Sequence, residues 1–188
     1  SIPKAVETYL EWCTEHGLRV SGFSGPMMVS EVIRAWRYED AYEVNAFFAA
    51  DRPPLLADET PEYERLLLAT RQGLEQVLDG LSEDDLHKEL SGEEWPIVGI
   101  LNHVALAEQW YFDRMGIALP TRELPTDPLD RLVKVRDHTL ANLPNLATRI
   151  GVVALSGETW SARKVMRRTL WHERDHTDHI SKLKLRLR

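Results

Sequence analysis

The residues with the greatest chemical potential lie near the end of the chain, in Trp171-His172-Glu173-Arg174-Asp175-His176-Thr177-Asp178-His179-Ile180. Wound as a helix, His172, His176 and His179 stand at i, i+4 and i+7, within about 60° of one another on one face. The segment contains neither proline nor glycine, so a helix is the natural reading. Three of the seven histidines on one stripe exceed what packing needs. Neutral imidazole is a ligand for zinc, nickel and iron, so at least two of the three are read as binding a divalent metal. The rival reading is a neutral, hydrogen-bonded histidine network in a core.

A third nitrogen is available from further upstream. His103 lies in an apolar helical stretch with Leu106, Ala107 and Trp110 on its own side, so it is expected to point into the protein. Facing His172 and His176, it would complete a three-histidine site. Three protein ligands leave a coordination position for water or substrate, the pattern of catalytic rather than structural zinc. His172 and His176 are the best-spaced pair. His179 is a third ligand, a hydrogen-bond partner of a ligand, or a substrate contact. Zinc is the expected ion and nickel the next, with iron or manganese also compatible. His16, His87 and His138 have weaker contexts and are read as surface residues.

His172-Glu173-Arg174-Asp175-His176 also satisfies H-E-x-x-H, in which the glutamate serves as general base of a zinc peptidase. Only 12 residues follow His176, with no downstream glutamate ligand, and His179 is too close along the same helix to act as one. The peptidase is therefore a minor alternative, and Glu173 is expected to face a neighbouring helix or solvent at the rim.

Four helices must position these groups. Thr60 is read as the cap of the first, with Pro61 in its opening turn and a buried stripe of Leu66, Leu67, Thr70, Leu74, Val77, Leu78 and Leu81. An acidic loop over residues 82–95 precedes the second, which runs from Pro96 or Ile97 to Met115 and stops at Gly116. The third starts after Asp127 and fades near Pro144, and Ser161 caps the last, residues 162–187. Between them, residues 150–155 are read as a short strand and 157–160 as a turn. Residues 60–188 are thus expected to form a four-helix bundle. Residues 1–51 read as a small α/β appendage, with a helix over 5–16, a glycine-rich turn at 21–26, and strands over 27–36 and 42–48. Residues 52–56 then act as a linker.

A chain of 188 residues with 43% hydrophobic content can bury a real core. Its net charge of −7 argues against nucleic acid or an anionic membrane as partner. A single cysteine, Cys13, permits no intrachain disulfide, which fits a reducing compartment. No secretory leader and no run of 18 apolar residues are recognisable, so a soluble cytoplasmic protein is expected. The chain opens on Ser1 rather than Met, and a few native residues are expected to precede it.

Trp95-Pro96-Ile97-Val98-Gly99-Ile100-Leu101-Asn102-His103, followed by Ala107-Glu108 and later by the Trp171 to Ile180 segment, resembles the paired signatures of the DinB-like superfamily. The last segment is especially similar to its YfiT-like branch and the mycothiol- or bacillithiol-dependent relatives. The resemblance covers residues 60–188. It implies an up-down-down-up four-helix bundle in which His103, His172 and His176 hold one metal, with His179 a non-ligand. Pro96 and Gly99 depart from the usual pattern, and Gly99 is expected to loosen the first turn of its helix. Residues 22–28 and 42–51 look faintly like a HicB-like antitoxin domain.

A metal so held can activate water for hydrolysis, or bind a low-molecular-weight thiol as thiolate and hand it to an electrophile. The second is what the resemblance implies, since the relatives include thiol S-transferases and a mycothiol-dependent maleylpyruvate isomerase. The alternative is a non-catalytic metal-binding stress-response or interaction module. No Ser-His-Asp triad, phosphate-binding glycine loop or dinucleotide fingerprint is present, and Cys13, outside the bundle, is not a candidate nucleophile. Candidate contacts to a ligand histidine or to a small-molecule substrate are Glu108, Trp110, Arg114 and Arg168, besides His179. Trp36, Tyr38, Phe47 and Phe48 cluster in a segment too small for its own core, which predicts a homodimer or docking on the bundle.

Overall fold

The computed structural model of the chain describes residues 2–18, 28–34, 36–38, 42–44, 46–155 and 157–187. It divides into two units, residues 1–34 and 35–188. The first contains helix α1 (Ile2–Glu15), which stops at Gly17, whose φ of 64° suits a residue without Cβ. Residues 28–34, expected to be strand, have no regular secondary structure. The expected turn at 21–26 and most of the HicB-like stretch at 22–28 lie outside the described residues.

The second unit opens with an antiparallel hairpin, β1 (Trp36–Tyr38) and β2 (Tyr42–Val44), in register Arg37 to Glu43. The strand expected over 42–48 is therefore shorter, and it groups with the bundle rather than with α1. The described N-terminal residues thus make no α/β unit of their own. Residues 46–59 are also more than a linker. Asp51 is buried, accepts from the Phe48 amide at 2.9 Å and receives Arg167 at 2.6 Å. Ser161 Oγ donates to the Asp51 carbonyl at 2.6 Å, and Leu55 enters the core.

The bundle helices are α2 (Thr60–Leu78), α4 (Ile97–Asp113), α5 (Pro128–Ala141) and α7 (Ala162–Leu187), with short helices α3 (Glu83–His87) and α6 (Leu143–Ala147) between them. Helix α7 packs on α2 and α4, and α4 packs on α5. Thr60 does not cap α2. The chain enters through a 3-10 turn at Ala57–Glu59, so Thr60 is already helical and its hydroxyl donates back to the Ala57 carbonyl at 2.8 Å. Asp127 does cap α5, accepting from the amides of Leu129 and Asp130 at 2.9 Å. Ser161 caps α7 by accepting from the Lys164 amide at 3.2 Å. The acidic loop contains α3 because Ser82 and Asp85 close a capping box. Residues expected as a turn before α7 are a strand: β3 (Val153–Leu155) pairs antiparallel with β4 (Glu158–Trp160).

The core has two apolar clusters with a polar layer between them. One gathers Leu67, Tyr111, Phe112, Leu146, Trp160 and Met166. The other gathers Leu74, Ile100, Leu101, Val104, Leu132 and Ile180. Along α2 the order is Leu67, Thr70 and Arg71, Leu74. Along α4 it is Val104, Glu108, Tyr111, and along α7 Met166, His172 and Glu173, Ile180. The chemistry-bearing residues therefore sit at mid-bundle, on helices fixed from both ends by apolar packing.

Candidate metal centre

Helix geometry places Arg168, His172 and His176 on one stripe of α7 at four-residue spacing. Opposite them, α4 contributes His103. The ring centroids of His103 and His172 are 4.9 Å apart, those of His103 and His176 5.0 Å, and those of His172 and His176 4.5 Å. One nitrogen from each ring can be chosen so that all three lie within 4.8 Å of one another. His103 and His172 turn Nε2 toward Nε2 at 3.1 Å.

All three imidazoles are kept neutral. Burial, reinforced by the neighbouring His176 and His103, pushes the His172 pKa down to about 3. Burial and His103 bring His176 to about 4, and burial also lowers His103, against the pull of Glu94. At neutral pH the cluster thus offers three uncharged lone pairs. Nδ1 of His176 is buried and has no hydrogen-bond partner among the described residues. Three converging neutral nitrogens and an orphaned buried ring atom fit a divalent metal held by His103, His172 and His176.

The surroundings are aromatic. The Trp95 indole packs on His103 at 5.0 Å between centroids, and Tyr111 meets His172 edge-on at 5.9 Å. Trp95 also lines a cavity of about 460 Å³ formed by residues 89–96. Gly99 explains how Trp95 reaches this place. A Cβ at Gly99 would lie 2.9 Å from the Trp95 Cβ, so glycine here permits close packing of the loop on the first turn of α4, rather than merely loosening that turn.

The other expected contacts divide. Arg168 lies beside the cluster, and its charge helps to depress His172. Its Nη2 donates to the Tyr111 hydroxyl at 3.1 Å, and its guanidinium lies 4.5 Å from the Trp171 ring centre. His179 stays outside the triad and meets Glu93 at 3.0 Å. Trp110 packs on Trp160, and Arg114 covers the Trp110 ring at 4.4 Å while pairing with Asp113. His138 is half-buried rather than on the surface, with Nε2 2.9 Å from the Ile117 carbonyl oxygen.

Glu108 and Glu173 belong to a different structure. Arg136 donates to both Glu108 oxygens at 3.0 and 2.9 Å and to Glu173 at 2.8 Å, while Arg71 Nε donates to Glu173 at 2.8 Å. Thr70 donates to Glu173 as well. Glu173 is 1% exposed, not at a rim. Burial works to raise its pKa, yet Arg136 and Arg71 hold the carboxyl below its ordinary value. Burial likewise opposes the Arg136 charge, but Glu108 and Glu173 hold its pKa up. Two arginines and two glutamates form a neutral network linking α2, α4, α5 and α7, in which only Nη2 of Arg71 lacks a hydrogen bond among the described residues and lies 3.8 Å from Glu108. A zincin base must face the metal and a substrate water; Glu173 faces neither. The sequence could not reveal this, because the partners Arg71 and Arg136 lie 102 and 37 residues away.

A family model for the DinB superfamily matches residues 66–180. The chain belongs to the DinB superfamily. The matched span includes all three histidines and the whole ion-pair network. No curated protein and no solved structure matches the chain. Among the described residues, no helix is long and apolar enough to cross a membrane.

Proposed function

We propose that this DinB-superfamily chain is a divalent-metal-dependent enzyme acting on a small molecule, as a thiol-dependent S-transferase or a hydrolase. The observation that carries the reading is the convergence of His103, His172 and His176 to within 4.8 Å, with no fourth protein ligand in that group among the described residues. A metal bound there would supply Lewis acidity, stabilising a thiolate or polarising an oxygen. The protein's own contribution is to keep three imidazoles neutral, wall the site with Trp95 and Tyr111, and hold α4 and α7 rigid through the buried ion pairs. Zinc is the favoured ion and nickel the next, with iron or manganese also accepted; a low-molecular-weight thiol is the proposed cosubstrate.

Metal analysis of tag-free protein after remetallation is the first test. One ion per chain is expected for the wild type, and loss of that ion in His172→Ala and His103→Ala. Wild-type protein without stoichiometric metal would defeat the site. A screen of low-molecular-weight thiols against electrophiles then tests the chemistry.

A second reading, a non-catalytic metal-binding stress-response or interaction module, is favoured by one specific observation. The two carboxylates nearest in sequence logic, Glu108 and Glu173, are both consumed by arginines, leaving neither free as an acid–base group. Metal-dependent turnover abolished by His103→Ala would reject that reading. The up-down-down-up helix order, a cytoplasmic location, the absence of nucleic-acid binding and a homodimeric state belong to the same proposal. The net charge of −7 supports the nucleic-acid part.

A further inference from the structure

Arg168 is a buried cation with no carboxylate partner among the described residues. It is 9% exposed, and its contacts are the Tyr111 hydroxyl and the faces of Tyr111 and Trp171, at 5.5 and 4.5 Å. Its Nε is buried and has no hydrogen-bond partner among the described residues. Every other buried arginine of the bundle, Arg71 and Arg136, is matched by glutamate. Burying an unpaired charge is costly and such charges are rare unless something pairs them. Arg168 stands one helical turn before His172 on the same stripe, so whatever pairs it adjoins the triad.

We propose that Arg168 and Tyr111 form an anion anchor for the carboxylate of a small organic acid bound at the three-histidine site. The donors match one carboxylate. Arg168 offers its Nε–H, and the Tyr111 hydroxyl, which accepts from Arg168, keeps its own proton to donate. A single guanidinium and a phenol balance one negative charge, whereas a phosphate dianion calls for more cationic or amide donors. The flanks fit an apolar, planar body: Trp95 and Trp171 are 39% and 50% exposed beside the histidines. Arg168 stands on the N-terminal side of His172 along α7, so the carboxylate lies toward α7's N-terminal half and the rest of the molecule toward the triad. The identity of this acid as substrate rests on the metal-site reading above; the anchor itself does not.

Binding of benzoate, with benzamide as its neutral isostere and inorganic phosphate as the competing anion, tests the assignment. Calorimetric titration is run on zinc-loaded and on chelator-treated full-length protein, beside Arg168→Met and Arg168→Lys, with zinc content measured in each. Benzoate is expected to bind the wild type, benzamide at least tenfold more weakly. Arg168→Met should lose at least tenfold in benzoate affinity while retaining zinc, and Arg168→Lys should recover part of it. Because the guanidinium is unpaired, Arg168→Met should melt no lower than the wild type. Equal benzoate affinity in Arg168→Met, absence of benzoate binding to the wild type, or preference for phosphate would each overturn the proposal. So would failure of Arg168→Met to fold, which would make the arginine structural. Wild type that binds no zinc yet binds benzoate through Arg168 would refute the metal reading and leave the anchor standing.

Discussion

His172 and Glu173 are neighbours in sequence with opposite duties. A step of about 100° along α7 turns the imidazole to the histidine cluster and the carboxylate to Arg71, Arg136 and Thr70. The histidines were legible because spacing within one helix reveals a shared face. Arg136 was not, since nothing local in Leu132 to Thr139 marks an arginine as buried, and the glutamates that pair it come from two other helices. Removing one member of a buried network costs about 3–5 kcal/mol because the partner charge stays behind. Glu173→Gln is accordingly expected to destabilise the fold by that order in urea denaturation, and the protein that remains folded should still bind zinc. A zincin base would show the reverse, with stability kept and only turnover lost. The pH dependence follows from the depressed Glu173 pKa. A carboxyl whose folded pKa lies below its unfolded value of 4.5 stabilises the fold fully above that value. The contribution is lost as pH falls through the folded pKa, so wild type should lose more stability below pH 4.5 than Glu173→Gln does.

At the scale of elements, the long helices were readable from periodicity and caps such as Asp127 and Ser161, while the short ones were not. Helix α3 has five residues, too few for a periodic signal, and β4 is a three-residue strand whose partner defines it. Gly99 shows where a local rule gives an incomplete answer. Propensity alone says that Gly99→Ala should gain about 1 kcal/mol. The 2.9 Å approach to the Trp95 Cβ means that the loop must shift, and overpacking of this kind costs roughly 1–3 kcal/mol. A net destabilisation of about 1 kcal/mol is expected, with altered Trp95 fluorescence and weaker zinc binding because Trp95 packs on His103. A more stable Gly99→Ala with unchanged fluorescence would contradict the packing argument.

For the whole molecule, the consequential boundary is near residue 35 rather than at 51 to 60. Composition suggested a linker at Arg52-Pro53-Pro54, because prolines punctuate a chain whether or not its neighbours pack. Leu55 is nonetheless inside the core, and Asp51 is held by Arg167 and Ser161. A protein of residues 35–188 should melt close to the full chain. One of residues 60–188 should be weaker by about 3 kcal/mol, the order of a lost core leucine. Thermal melts of the three forms check this, and light scattering on the same samples tests the homodimer. Phe48 already lies under the Arg167 guanidinium at 4.8 Å, so it docks within the chain, and a monomeric full chain would extend that explanation to its neighbours.

The placement of ligands and ion pairs on adjacent α7 residues has an evolutionary edge. A single deleted or inserted residue between Arg168 and His172 would swing everything beyond it by about 100°: a deletion would put the carboxylate where the imidazole stood, and an insertion would put the imidazole where the carboxylate stood. Either event would strike the chemistry and the structural lock together. Point substitution can explore this helix, but its length is frozen: variation in chain length has to be absorbed elsewhere, in the exposed loops that close the bundle.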